Sequence, residues 1–154
     1  MRRVAIAALL ALLACGCGRA TPSTLAVGGF DEKEMDAAIA HARKTVDQFI
    51  AELQKPTGEE HAVKAPVTDS AGTEHFWLTD VTLANGEFTG RIGNDPGIVS
   101  NVKIGQQWKL KTTEISDWMY MKNGKIVGNF TMRPLLKNMP EDEAAKLRSM
   151  LAEP

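Results

Sequence analysis

Apolar residues at Met35, Ile39, Ala42, Val46, Phe49, Ile50 and Leu53 recur at helical spacing and form one stripe. That is the pattern of a helix burying one face. Asp31 stands where its side chain can accept a backbone N–H near Glu34, whose carboxylate can reach back, while Phe30 and Met35 occupy the flanking staple positions. Pro56 and Gly58 mark the end of the segment. The spacing predicts a single helix between these signals.

Beyond it the period changes. Val63, Ala65 and Val67 alternate with polar or small residues, predicting a short half-buried strand before a turn over Asp69–Gly72. His75–Leu83 and Glu87–Ile92 flank Asn85 and Gly86, a strong signal for a two-residue hairpin. Counting outward pairs Leu83 with Phe88, Val81 with Gly90 and Thr79 with Ile92, on the face that carries Trp77. Asn94, Asp95, Pro96 and Gly97 form a turn cluster, and Gln106–Thr112 places Trp108 and Leu110 inward.

A second hairpin centres on Asn123 and Gly124. One of its faces carries Met121/Ile126, Met119/Gly128 and Asp117/Phe130; the other carries Tyr120/Val127, Trp118/Asn129 and Ser116/Thr131. A last amphipathic helix starts near Pro140, with Ala144, Leu147, Met150 and Leu151 on its apolar side. The predicted class is α+β: a curved, largely antiparallel sheet of about five to six strands with an N-terminal and a C-terminal helix packed on it. Gly90, Gly93 and Gly105 point to strong curvature, in the direction of a partial barrel.

The start of the chain follows different rules. Arg2 and Arg3 precede an unbroken apolar run from Val4 to Ala14. A bilayer span needs about 20 apolar residues, so this run is too short to cross and suits the apolar region of a signal peptide. Leu12, Leu13, Ala14 and Cys15 resemble the lipobox of bacterial lipoproteins, in which cleavage precedes an acylated cysteine. Residues 1–14 are therefore expected to be a signal peptide and Cys15 the lipid attachment site, with Cys17 as the alternative acceptor. A plain secretory signal with both cysteines free or paired is the competing reading. Gly16 to Gly29 is small and polar with no apolar period, so 15–29 is expected to be a lipid-anchored tether of roughly 20 Å reach. Residues 30–154 form the single folded domain.

Composition agrees with one domain: 154 residues, 44% hydrophobic and 24% charged. Eighteen basic against 19 acidic side chains exclude a strongly basic nucleic-acid binder. Removing Arg2 and Arg3 leaves 16 basic residues against 19 acidic ones, a formal charge of −3. An anionic bilayer would not attract such a domain, so the lipid has to hold it at the membrane.

Catalytic chemistry is hard to place. His61 and His75 could meet if their strands pair, with Glu59, Glu60 and Glu74 nearby, which would give a two-histidine and carboxylate metal site. The spacing is not diagnostic, and polar strand residues facing water are the more ordinary account of it. Glu32, Glu34 and Asp36, like Glu141, Asp142 and Glu143, sit at helix starts, where negative charge offsets the dipole. No catalytic residue, metal ligand or cofactor is predicted. The pattern around Trp118 and Tyr120, beside Asn129 and Thr131, suits recognition of a peptide, protein or glycan if that face is open. If a helix covers it, both rings are ordinary packing. Asp117 is expected to accept backbone N–H bonds that fix a turn.

Three runs carry a resemblance: His75–Val81; Phe88–Ile92 with Asn94 and Pro96; and Ile115–Tyr120. With the Met35–Phe49 helix and Gly128–Thr131, they resemble the bacterial domain-of-unknown-function family 2314, which includes YegJ-like proteins. The resemblance spans roughly residues 31–151. It implies a compact bacterial α+β domain, and structural roles for Trp77, Asn94, Asp117 and Trp118. It implies no catalytic residue. The expectation is an envelope lipoprotein, lipid-anchored on the periplasmic or extracellular side of a bacterial membrane, with a domain that binds and does not catalyse. The alternatives are an inhibitor or immunity-type protein, or an enzyme of unfamiliar type using Asp117 and Tyr120 or the His61/His75 region.

Overall fold

The computed structural model describes residues 4–6 and 30–153. The predicted lipidation sites Cys15 and Cys17, the tether and most of the predicted signal peptide lie outside the described residues. In chain order the elements are β1 (Val4–Ile6), α1 (Glu32–Lys44), α2 (Val46–Gln54), β2 (Glu59–Asp69), β3 (Gly72–Ala84) and β4 (Glu87–Ile92). There follow β5 (Gln107–Lys111), β6 (Asp117–Lys122), β7 (Lys125–Gly128), α3 (Met132–Leu136) and α4 (Glu141–Met150).

The α+β class holds. Strands β5-β4-β3-β2-β6-β7 form an open antiparallel sheet, and β1 adds to it by pairing in parallel with β3. The sheet does not close into the partial barrel that the glycines pointed to. Helices cover both of its faces. Ala42 and Phe49 of α1 and α2 pack on Val63, Ala65, Phe76, Leu78, Phe88 and Trp118. On the opposite face Ala62, Trp77, Met119 and Ile126 meet Met150 and Leu151 at the end of α4.

Local chemistry explains the elements. Asp31 caps α1 by accepting from the backbone N–H of Lys33 at 2.8 Å and of Glu34 at 3.1 Å. Glu34 does not close the capping box; its carboxylate pairs with Lys137. The predicted single helix is two, because Thr45 departs from helical geometry. Its hydroxyl bonds the His41 carbonyl at 2.8 Å, the back-bonding by which a threonine bends a helix. Both hairpins form on the predicted asparagine–glycine turns: Asn85, Gly86, Asn123 and Gly124 all have φ between 51° and 76°, as a type I′ turn requires.

Two registers differ from the simple count. Leu83 pairs with Phe88 as predicted, but a bulge between Thr79 and Thr82 makes Thr79 pair with Arg91 and Leu78 with Ile92. The extra residue reverses the alternation, so Leu78 joins Val81 and Phe88 in one core while Trp77 joins the other. In the second hairpin, Met119 pairs with Gly128 and Met121 with Ile126. Left-handed backbone at Gly128 and Asn129 then ends the strand. Phe130 consequently leaves the Met119 face and sets its ring 5.3 Å from Trp118.

A cleft between separating strands and a buried polar relay

Trp118 is 1% exposed. Its Nε1 donates to the Ala42 carbonyl at 3.0 Å, and its ring lies 5.7 Å from Phe49 and 6.2 Å from Tyr120. Asn129 and Thr131 are buried as well, and Tyr120 alone of the four keeps partial exposure. These residues therefore do not make an exposed recognition face. The apolar stripe of α1 and α2 had to be buried, and it is buried here.

Asp117 accepts from the backbone N–H groups of Trp118, Phe130 and Thr131 at 2.8–3.1 Å. The Thr131 hydroxyl also donates to it at 2.6 Å, and accepts from Lys64 Nζ at 2.6 Å. Burial pushes the Asp117 carboxyl up, against the opposing pull of Lys64 and these donors. Burial likewise lowers the Lys64 ammonium to about 8, with Asp117 holding it back. The ammonium also sits 4.6 Å over the Trp77 ring. Asp117 thus fixes the turn after β7, the role expected from sequence, and the enclosed relay is structural. Strand alternation puts Lys64 on a water-facing side, and only the tertiary packing of Trp77 and Thr131 encloses it.

The histidines do not come together. His75 pairs across from Pro66 and lies 2.8 Å from Ser116 Oγ. His61 lies beyond the last β2–β3 pair, Val63 with Leu78. Among the described residues no group of three or more His, Cys, Asp or Glu side chains could hold a metal ion. His61 instead stacks on Tyr120, with ring centroids 5.7 Å apart and planes 17° from parallel. Its Nε2 lies 3.3 Å from Glu52 Oε1. Burial would raise the Glu52 carboxyl, but N–H bonds from Thr57 and Gly58, the Thr57 hydroxyl and His61 overcome it and leave it at about 2. An anionic Glu52 and burial both push the Tyr120 phenol up, burial the more.

His61 also lines the feature that stands out as a place to bind something. After Val63 and Leu78 the two central strands cease to pair, and an open cleft of about 620 Å³ forms between them. Glu60, His61 and Ala62 line it from β2, Thr79–Thr82 from β3, and Leu53 from α2. Each strand carries an irregularity there. Glu60 (φ 53°) lies in the register shift between β2 and β6, and Asp80 (φ 52°) in that between β3 and β4. Apart from asparagines, they are the non-glycine residues with left-handed backbone among the described residues. Such conformations carry strain that surrounding structure must hold, and they are frequent at functional sites. A strand-alternation reading cannot see them, since each needs one extra residue against a partner strand.

The open antiparallel sheet with helices on both faces defines a small α+β domain. Residues 32–151 match the family described as uncharacterized protein conserved in bacteria, DUF2314, and the chain belongs to it. Over 128 residues it is 55% identical to "Uncharacterized protein YegJ" of Escherichia coli K12, covering 83% of this chain and 84% of that protein. It is also 34% identical over 70 residues to a protein of Neisseria meningitidis serogroup B named "Putative ankyrin repeat protein". That match covers 46% of this chain and 28% of the other. No solved structure matches.

Proposed function

We propose that this protein is a lipid-anchored component of the bacterial envelope whose single domain binds a partner in the β2–β3 cleft and does not catalyse. The carrying observation is the separation of two central strands into an open cleft with left-handed, non-glycine backbone on both sides. A sheet is cheapest when its ladder runs on, so splitting it between central strands sacrifices backbone pairing that a binding function can recover. The run Leu12 to Cys15 and the polar stretch after it support anchoring through acylated Cys15. A tether of roughly 20 Å leaves the domain free to reach a partner near the membrane surface.

Site-specific photo-crosslinking in the native cells tests this reading. A photoreactive residue at Thr82, exposed beside the cleft, is expected to yield a discrete adduct in the membrane fraction. The same residue at Lys109, exposed on β5, is expected to yield none. Equal labelling from both positions, or none from Thr82, overturns the reading.

A further inference from the structure

We infer that the occupant of the cleft is an extended, lysine- or arginine-bearing segment of a partner polypeptide, laid as a strand between β2 and β3. The inference rests on the cleft being the binding site and adds the chemistry of what fills it. The first argument is the backbone. Beyond Val63 and Leu78, β2 turns its other edge to β6, through Ala62 with Met119 and Glu59 with Met121. Meanwhile β3 turns its other edge to β4, through Thr79 with Arg91 and Thr82 with Thr89. The facing edges of β2 and β3 therefore have no partner strand along the cleft among the described residues. Main-chain groups spaced along a strand are matched by another extended backbone, which is recognition by strand addition. A folded surface or a compact sugar does not supply such a row.

The second argument is charge. Glu60 and Asp80 stand on opposite sides of the opening, both exposed. Arg91 lies 3.8 Å from Asp80, but both side chains are more than half exposed, so this ion pair is weak and exchangeable. Two carboxylates facing one extended segment favour cationic side chains at its rim and repel anionic ones. Val81 and Leu53 supply apolar lining on the side of α1 and α2. An occupant alternating apolar and basic residues satisfies the lining and the rim together, because successive side chains of a strand point to opposite sides.

The test uses the full-length, membrane-extracted protein and fluorescence anisotropy of two labelled short peptides, one alternating valine with lysine and one alternating valine with glutamate. The lysine peptide is expected to bind and the glutamate peptide not. N-methylation of alternate backbone nitrogens should abolish binding. Glu60→Gln combined with Asp80→Asn should weaken the lysine peptide about threefold to thirtyfold without lowering the melting temperature, since asparagine tolerates the left-handed backbone at position 80. Equal binding of both peptides, unchanged binding to the double variant, or indifference to N-methylation overturns the inference and leaves the cleft as a site. Failure of both peptides alongside a Thr82 adduct in cells overturns it in the same way. Failure of both with no adduct overturns the cleft itself.

Discussion

The Thr131 hydroxyl stands 2.6 Å from Lys64 Nζ, in a space closed to solvent. It is the hydrogen-bond acceptor for that ammonium among the described residues, and it donates onward to Asp117. One hydroxyl thus joins a buried cation to a buried carboxylate. The two ends are unequal. Asp117 keeps three backbone donors and the Thr131 hydroxyl if Lys64 is removed, whereas Lys64 without Thr131 keeps the charge of Asp117 and the face of Trp77 but loses its hydrogen-bond acceptor.

That asymmetry sets an order of stabilities. Thr131→Val removes both hydrogen bonds of the hydroxyl and leaves the buried ammonium without an acceptor, so it should cost about 3 kcal/mol or more, as for a buried charged donor left unsatisfied. Lys64→Met replaces the cation with an apolar chain against Trp77 and leaves Asp117 solvated by its donors. It should cost less, about 1–2 kcal/mol, because Asp117 keeps its hydrogen-bond donors and burial already favours its neutral form. Urea denaturation of both variants checks the order. A Lys64→Met loss equal to that of Thr131→Val would mean that the ammonium is the element that holds Asp117.

Acid should destabilise the domain through His75. Burial, then Lys64 and Arg43, lower the imidazole from 6.5 to about 4. The folded state therefore resists a proton that the unfolded chain accepts. The associated stability is fully present above pH 6.5 and is lost as pH falls through the window down to about 4. It amounts to about 3 kcal/mol. Glu52, whose carboxyl is held at about 2, adds a loss of the same sign that extends to lower pH. His75→Asn, which can still bond Ser116, should flatten the upper part of the slope. Urea midpoints measured from pH 7 to pH 4 give the comparison, and an unchanged slope would assign the acid sensitivity elsewhere.

Much of the fold was legible in the sequence because its signals are local. Asp31 caps a helix within its own first turn, and the Asn85–Gly86 and Asn123–Gly124 pairs supply the backbone angles of their hairpins. The bulges at Glu60 and Asp80 were not legible, since each is defined by a neighbouring strand. They are also what gives the cleft its shape, so the candidate site was the least visible part. The sequence suggests His61 only for a metal site with His75, from which the end of the ladder separates it. Trp118 was misplaced for a related reason. Alternation tells which side of a strand a ring leaves from, and only tertiary packing tells whether a helix waits there.

Gly128 offers a sharper packing test. Its φ is +83°, and a Cβ built on it would lie 2.3 Å from the Trp118 carbonyl and 2.7 Å from the Trp118 ring. Gly128→Ala combines left-handed strain of about 1–2 kcal/mol with a clash that the closed core cannot relieve cheaply. A total of about 2–5 kcal/mol is expected. Gly124→Ala, at a similar φ but with nothing within 4 Å of the added carbon, should cost only the backbone share. Thermal melts of the pair separate strain from packing; equal losses would show that Trp118 moves aside freely.

Anchoring is tested at the thiol. If Cys15 is acylated, its several chains contribute about 0.8 kcal/mol for each buried CH₂, and the protein partitions with the membrane irrespective of salt. No described helix is long and apolar enough to cross a membrane, and a chain processed before Cys15 would carry a formal charge of −3, which an anionic surface repels. Cys15→Ser should therefore move the protein to the soluble fraction or leave an uncleaved precursor, with loss of metabolic labelling by palmitate. Cys17→Ser should change neither. Retention of label in Cys15→Ser together with its loss in Cys17→Ser would move the attachment point two residues along and keep the tether. Label lost in neither variant alone, with membrane association unchanged in the double variant, would remove the lipid from the account.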